Sequence, residues 1–400
     1  MALHNLVHKR TNMKSYLTHL ECTNCGVTHS ADQLIRLCTE CGKVLYARYD
    51  LDTARNEVDR DAISGRPADM WRYFETMPVL DEANIVSLGE GFTPTLDAPR
   101  LGEAIGASNL VVKDEGQNPT GTFKSRGLSA AVSKAKELGA NGVTIPTAGN
   151  AGGALAAYAA RAGMQAHVFM PQDALDANKK EIVHAGGTLH LVDGLIGEAG
   201  QESRALAAER GMFDLSTLQE PYRAEGKKTM GYEIAEQMGW TFPDAIIYPT
   251  GGGTGVVGIW KAIEEMEALG WTDGKRPRFF SVQAEGCQPI VRAFERGDTH
   301  AEPWENAHTV AHGMRVPSAI ADYLILQVLR ESNGGAIAVS DDDMLEHMRL
   351  MARTEGIVVG PEGGATAVAA RQLIANGTLS SDDNILLLNT GSGLKNLELM

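Results

Sequence analysis

Apolar and polar residues alternate in blocks of two kinds from residue 109 towards the end of the chain. Short runs rich in Val, Ile and Leu have the length of strands, and longer stretches repeat apolar residues at helical spacing. The predicted strands are residues 109–113, 142–146, 167–170, 188–192, 244–248, 278–283 and 384–388, and the predicted helices are 125–138, 154–162, 198–210, 227–238, 256–269, 341–354 and 364–375. This alternation predicts parallel sheets with right-handed crossovers, and therefore an α/β fold.

The number of predicted strands exceeds what one compact sheet conveniently takes, and residues 121–215 carry several strand–helix units of their own. We therefore expect two parallel-sheet α/β lobes with a cleft between them. The small lobe is predicted over residues 121–224, and the large lobe over 51–120 and 225–400. Ligands of such sheets bind at the carboxyl ends of the strands, so the loops there should converge on the cleft.

Composition and charge restrict the function. The chain has 400 residues, 43% of them hydrophobic and 22% charged, which is typical of a soluble globular protein. A net charge of −15 argues against a nucleic-acid partner or an anionic membrane, because the long-range field repels polyanions. No apolar run reaches the roughly 18 residues that a membrane helix needs, and the basic N-terminus lacks the apolar core of a secretory signal. We expect a cytoplasmic protein that does not enter a membrane.

Four of the five cysteines form the pattern C-x2-C-x12-C-x2-C, namely Cys22, Cys25, Cys38 and Cys41. Each pair lies on a turn, and a glycine follows its second cysteine. Four thiolates at this spacing are typical of a structural zinc site, so we predict a zinc ribbon over residues 14–50. Such a site has no open position and does no chemistry; the alternative is an empty relic of a ribbon. The fifth cysteine, Cys287, is expected to be a small buried hydrophobe.

Two loops carry candidate functional residues in the first half of the chain. Lys124 lies between a predicted strand and a predicted helix, in the segment 118–127 (NPTGTFKSRG). The positive end of the helix dipole disfavours the ammonium form there, and a neutral amine is the form that condenses with an aldehyde. Asn150 has glycines close on both sides, in 147–153 (TAGNAGG), which suits an amide that reaches a ligand. The alternatives are a solvated lysine and an asparagine that caps the following helix.

Two further loops follow strands in the second half. Residues 250–255 (TGGGTG) expose successive backbone N–H groups at a helix start, so Gly251, Gly252, Gly253, Thr254 and Gly255 are predicted to hold a phosphate. The same stretch contains a G-x-G-x-x-G at 253–258, which leaves a nicotinamide dinucleotide as an alternative ligand. Thr390, in 389–393 (NTGSG), is predicted to hydrogen-bond a ring nitrogen, with a plain turn as the alternative.

An aldehyde, a phosphate, a phenolic oxygen and a ring nitrogen all occur in pyridoxal 5'-phosphate. The chain resembles the tryptophan-synthase-β-like (fold type II) pyridoxal-phosphate enzymes, and most specifically the threonine synthases. Segments 87–95 (SLGEGFTPT) and 118–127 carry the resemblance, together with the ribbon, and it covers nearly the whole chain. The resemblance implies that Lys124 binds the cofactor as an imine, Asn150 meets its 3'-oxygen, Gly251 to Gly255 hold its phosphate and Thr390 pairs with its ring nitrogen.

The resemblance further implies a homodimeric lyase that converts O-phospho-L-homoserine and water to L-threonine and phosphate, with Ser125 or Arg126 helping to hold the leaving phosphate. The residues depart from the threonine synthases in places: Ser125 stands where Asp is usual, and 149–153 is closer to serine and threonine dehydratases. A serine/threonine ammonia-lyase and a β-replacement enzyme therefore stay open, as does, less strongly, an NAD-dependent oxidoreductase. Glu362 starts a predicted helix and is first a capping candidate.

Overall fold

This computed structural model describes residues 13–194 and 196–400. The strands are β1 (Leu17–Cys22), β2 (Thr28–His29), β3 (Leu45–Tyr49), β4 (Thr95–Asp97), β5 (Asn109–Asp114), β6 (Gly142–Pro146), β7 (Gln165–Pro171), β8 (Thr188–Val192), β9 (Phe213–Asp214), β10 (Ala245–Pro249), β11 (Arg278–Ala284), β12 (Gly335–Val339) and β13 (Asn384–Asn389). The α-helices are α1 (Leu51–Glu57), α2 (Pro99–Ile105), α3 (Lys124–Glu137), α4 (Ala151–Ala162), α5 (Asp176–His184), α6 (Ile196–Arg210), α7 (Tyr222–Gln237), α8 (Thr254–Leu269), α9 (Pro289–Arg296), α10 (Asp322–Glu331), α11 (Asp341–Glu355) and α12 (Pro361–Ala375).

Two sheets with parallel strands form the body of the protein. The larger has the order β12-β11-β10-β13-β5-β4, with only the edge strand β4 antiparallel to its neighbour. The smaller is parallel throughout, in the order β8-β7-β6-β9. Central strands such as β10 are buried along their whole length, because helices cover both faces of a parallel sheet. The predicted α/β fold is confirmed, and the limits predicted for the two lobes stay a prediction.

The sheet order determines which loops meet. Strands β5, β13 and β10 are neighbours in the large sheet, and their carboxyl ends lie on one edge. The segments that follow them carry Lys124, Thr390 and the glycine-rich loop 250–255. Asn150 follows β6 of the smaller sheet. The topology therefore brings three of the four predicted loops to one sheet edge.

The N-terminal module is a small antiparallel sheet in the order β2-β1-β3, with Leu20 and Ala47 fully buried. Two polar contacts dock it on the body. Arg36 donates to the side chain of Gln219 at 2.9 Å and lies 3.3 Å from the buried carboxylate of Asp214. On the other side, the hydroxyl of Thr23 lies 2.5 Å from that of Tyr323.

Several helices begin before their first periodic apolar residue. The largest difference is α7, which starts at Tyr222 rather than at residue 227, because the buried Glu220 carboxylate accepts the N–H groups of Tyr222 and Arg223. The core follows the predictions more closely. Met344, Met348 and Met351 of α11 are buried, as is Cys287. Among the described residues, no helix has both the length and the apolar character that crossing a bilayer requires.

Candidate active site

Lys124 is the first residue of α3, and the segment before it is tied to the C-terminal loop. The N–H of Phe123 donates to the carbonyl of Thr390 at 3.0 Å, and the N–H of Ser392 donates to the carbonyl of Gly121 at 2.9 Å. These backbone hydrogen bonds hold the lysine and the Thr390 loop side by side. Thr390 itself is buried, at 7% exposure.

The amine of Lys124 lies 4.7 Å from the ring centroid of Phe123, and within the described ranges it makes no hydrogen bond or ion pair. Its pKa is lowered from 10.5 to about 8. Burial is the largest cause and the positive charge of Arg223 is the second, while the Glu362 carboxylate acts in the opposite direction. The expected depression of the pKa therefore comes mainly from the surroundings of the amine and less from the helix start.

A buried ionic network fixes the first turn of α3. The guanidinium of Arg126 is fully buried and donates to both carboxylate oxygens of Glu115, at 2.5 and 2.7 Å, and of Glu233, at 2.5 and 2.6 Å. Lys113 donates to the same Glu233 at 3.0 Å. Arg126 is thus engaged inside the protein, and the hydroxyl of Ser125 donates to the carbonyl of Pro119. The prediction that Arg126 or Ser125 helps to hold a leaving phosphate is wrong.

The glycine-rich loop has room only for glycine at several positions. Gly253 has a φ of +78°, in the left-handed region, and stands immediately before α8. A Cβ on Gly251 would lie 2.3 Å from the carbonyl oxygen of Gly313, and one on Gly255 would collide with the hydroxyl of Tyr248. The loop therefore presents backbone N–H groups at a helix N-terminus, which is the arrangement that binds phosphate groups.

Tyr248 joins the glycine-rich loop to the lysine. Its ring packs edge-on against Phe123, with centroids 6.4 Å apart, and Phe123 is the residue just before Lys124. Glu362 braces the same loop from the other side. It lies in the first turn of α12, and its carboxylate accepts the N–H of Gly313 at 2.9 Å instead of capping its own helix.

Asn150 occupies the N-cap position of α4, but its side chain makes no capping hydrogen bond. The amide is therefore free for a ligand. Beyond it, Gly153 faces the carboxylate of Glu181, which forms an ion pair at 2.5 Å with Lys395 from the C-terminal segment. This ion pair links the smaller sheet's loops to the loop that follows β13.

Sequence reasoning missed two cations of the site, Arg223 and Lys227. Both are buried and lie one turn apart on α7. Arg223 donates to the carbonyl of Leu215 at 2.7 Å and to the hydroxyl of Thr217 at 3.1 Å, and its Nε has no partner. Their i, i+4 spacing is visible in the sequence, but the start of α7 was not.

The four cysteines of the N-terminal sheet come together as predicted. Measured sulfur–sulfur distances are 3.4, 3.5 and 3.6 Å, and all four sulfurs lie within 4.8 Å of one another. A tetrahedron with zinc–sulfur bonds of 2.3 Å has edges of roughly 3.8 Å. Gly26 and Gly42 adopt left-handed conformations and donate to the carbonyls of Cys22 and Cys38, which forms the two knuckles. The cluster fits a four-thiolate metal site.

A lysine with a lowered pKa beside a glycine cradle, at the carboxyl ends of parallel strands, defines the class of pyridoxal-phosphate enzymes of fold type II. The family described as pyridoxal-phosphate dependent enzymes matches residues 86–391, and the chain belongs to this family. This match confirms the predicted cofactor and argues against the dinucleotide alternative at 253–258.

Similar proteins agree with this assignment. The chain is 36% identical over 375 residues to a threonine synthase of Methanocaldococcus jannaschii, covering 94% of this chain and 92% of that protein. A threonine synthase of Mycobacterium leprae is 33% identical over 81% of this chain and 87% of its own length. Among solved structures, maize serine racemase has a TM-score of 0.65 at 22% identity, covering 75% of this chain and 88% of the racemase, which shows the shared fold. A bacterial threonine deaminase, from the organism abbreviated T.th., has a TM-score of 0.62 at 26% identity, covering 75% of this chain and 92% of the deaminase.

The lowered pKa of Lys124 predicts how the apoenzyme takes up pyridoxal phosphate. Only the neutral amine forms an imine, so the rate should rise with pH and reach its half-maximum near the pKa of about 8. Stopped-flow absorption of apoenzyme mixed with cofactor measures this rate. Glu362→Gln should move the midpoint to lower pH and Arg223→Gln to higher pH, because their charges act on the amine in opposite directions. A rate that still climbs as an ordinary lysine titrates contradicts the prediction.

Proposed function

We propose that the protein is a threonine synthase, which converts O-phospho-L-homoserine and water to L-threonine and phosphate with bound pyridoxal phosphate. The observation that carries this proposal is the similarity to threonine synthases along nearly the full length of both chains, 94% and 92% in the M. jannaschii comparison. An enzyme of this kind needs an amine for the cofactor and a cationic place for a phosphate-bearing substrate. Lys124 supplies the first, and Arg223 supplies the second.

The residues of the site have distinct roles in this proposal. Lys124 binds the cofactor covalently, the glycine-rich loop holds its phosphate, Asn150 meets its 3'-oxygen and Thr390 meets its ring nitrogen. The cradle without room for a Cβ, the uncapped amide and the buried hydroxyl support these roles. When bound, the cofactor supplies an electron sink for the bonds at the substrate's α-carbon.

Once the substrate amine has displaced it, Lys124 moves protons at the substrate's α- and β-carbons. Its pKa of about 8 suits this work, because a base that both accepts and returns protons acts best near the ambient pH. Arg223 holds the leaving phosphate, since its guanidinium has an unpartnered Nε and no carboxylate bonded to it among the described residues. Arg126, in contrast, has its donors taken by two carboxylates.

Release of inorganic phosphate from O-phospho-L-homoserine by the holoenzyme, with formation of threonine, is the expected result. The competing function is a serine/threonine ammonia-lyase, which the similarity to a threonine deaminase structure at 26% identity favours. That enzyme would instead form ammonia and a keto acid from serine or threonine. Turnover of these amino acids without any phosphate release from phosphohomoserine would reject the proposal.

We also propose that the four cysteines bind structural zinc, in a reducing compartment such as the cytoplasm. The purified protein is expected to hold one zinc ion per chain, and Cys25→Ser should lose the metal and unfold at a lower denaturant concentration. Cys287→Ala, which changes a cysteine outside the cluster, is the control that keeps the metal. Elemental analysis with urea titration measures both, and a zinc-free wild-type protein of unchanged stability would refute the site. A homodimer is likewise proposed, with light scattering as its test.

A further inference from the structure

Lys227 is a buried amine without a partner. It is 1% exposed, and its Nζ makes no hydrogen bond. The nearest group recorded for it is the ring of Phe123, whose centroid lies 3.7 Å from the nitrogen. Burying a polar group without a partner destabilises a fold, so a native protein that keeps one has a reason outside folding.

The charges around Lys227 are mostly of its own sign. Burial lowers its pKa most, and Lys124, Arg223 and Arg126 lower it further, while Glu115 raises it. The Glu115 carboxylate is already occupied by Arg126 and by hydrogen bonds from Thr93 and Asn118. The pKa of Lys227 is therefore well below its ordinary value, and the amine is held uncharged until an anion arrives.

The side chain runs between the starts of two helices. Its Cβ lies 3.0 Å from the place of a Cβ on Gly258, in the second turn of α8, and its Cε lies 3.3 Å from that of a Cβ on Gly127, in the first turn of α3. Both helices direct their positive ends to the cleft. Lys227 also shares the Phe123 ring with Lys124, at 3.7 and 4.7 Å. Two helix N-termini and an unpartnered amine next to the guanidinium of Arg223 form a place for an anion of high charge.

We propose that Lys227 is the second cation of the substrate site, which binds the phosphate monoester of the substrate beside Arg223 and takes up a proton as this dianion arrives. This inference rests on the proposed function. The cofactor's own phosphate has the backbone N–H groups of the glycine-rich loop. Lys227 lies on the side of Phe123 and Lys124, where the substrate reacts, and this position favours the substrate's phosphate over that of the cofactor.

The test uses the holoenzyme, in which the cofactor fills its own phosphate site, and inorganic phosphate as the probe. Calorimetric titration in two alkaline buffers of different ionisation enthalpy gives the dissociation constant and the number of protons taken up, because inorganic phosphate is then already a dianion. The wild type should take up about one proton per phosphate. Lys227→Gln should weaken phosphate binding roughly 10- to 100-fold, as expected for a lost charged hydrogen bond, and abolish proton uptake. Affinity for pyridoxal phosphate and the visible absorption should not change.

Two further variants make the outcome decisive. Lys227→Met keeps an apolar stem against Phe123 and should behave as Lys227→Gln does, with folding followed by circular dichroism. Lys136→Gln removes an exposed lysine of α3 and should bind phosphate as the wild type does. Unchanged phosphate affinity in both Lys227 variants, or no proton uptake by the wild type, overturns the proposal. Loss of pyridoxal phosphate with phosphate binding retained also overturns it, because the amine then serves the cofactor.

The two proposals fail in different ways. If the wild type releases no phosphate from O-phospho-L-homoserine but still binds inorganic phosphate through Lys227, the threonine synthase proposal is wrong and the phosphate site stands. If it releases phosphate and both Lys227 variants bind and turn over substrate as the wild type does, the function stands and the role of Lys227 is wrong.

Discussion

Replacing Lys124 with alanine is expected to abolish the covalent attachment of pyridoxal phosphate and to reduce phosphate release at least ~10³-fold, since the same amine binds the cofactor and moves the protons. The visible absorption band of the imine should disappear, and borohydride should no longer fix the cofactor to the protein. The substitution removes a side chain with no hydrogen bond or ion pair within the described chain, so stability should change little.

Lys136→Ala is the matched control, because Lys136 is a lysine of the same helix that faces away from the cleft. It should stay coloured and active. A Lys124→Ala protein that is yellow after borohydride treatment and as active as the wild type would show that another amine does this work. Lys227 is the one to examine then, because it shares the Phe123 ring with Lys124.

Replacing Arg126 with methionine is expected to have the largest effect on stability, about 3–5 kcal/mol, because it leaves buried carboxylates without their main partner. Glu115 and Glu233 would then share the single cation Lys113. Urea titration of the holoenzyme measures the loss. Arg48→Met, which breaks the partly exposed ion pair with Glu21, should cost only about 0–1 kcal/mol.

The same variant tests the role first suggested for Arg126 by its place next to the lysine. If Arg126→Met keeps the stability of the wild type and loses affinity for phosphohomoserine, then the guanidinium does hold the leaving phosphate. Its burial among Glu115, Glu233 and Thr229 leads us to expect the reverse.

The sequence predicted most of the secondary structure and the loops of the site because both leave local signals. Parallel strands covered on both faces appear as continuous apolar runs, and the lysine, glycine and threonine loops each follow such a run. The strands that were missed are short or made of small residues, such as β9 and β12, and give no strong pattern.

The remaining parts of the site depend on contacts between distant positions. Arg126 meets Glu115 and Glu233, which are 11 and 107 residues away, and nothing local indicates that its charge is already paired. Arg223 and Lys227 came to the cleft only once α7 was seen to begin at Tyr222. The sequence therefore indicated the cofactor contacts well and the anion-binding cations poorly.

The docking of the N-terminal module bears on how this enzyme can be shortened. Arg36 grips Gln219 and the Asp214 carboxylate, and the chain runs from there through Leu215 and Thr217, the two acceptors of the Arg223 guanidinium. Deleting the first fifty residues would leave Asp214 without its cation and loosen the scaffold that aims Arg223. The appendage that does no chemistry is thus a splint for the segment that receives the substrate.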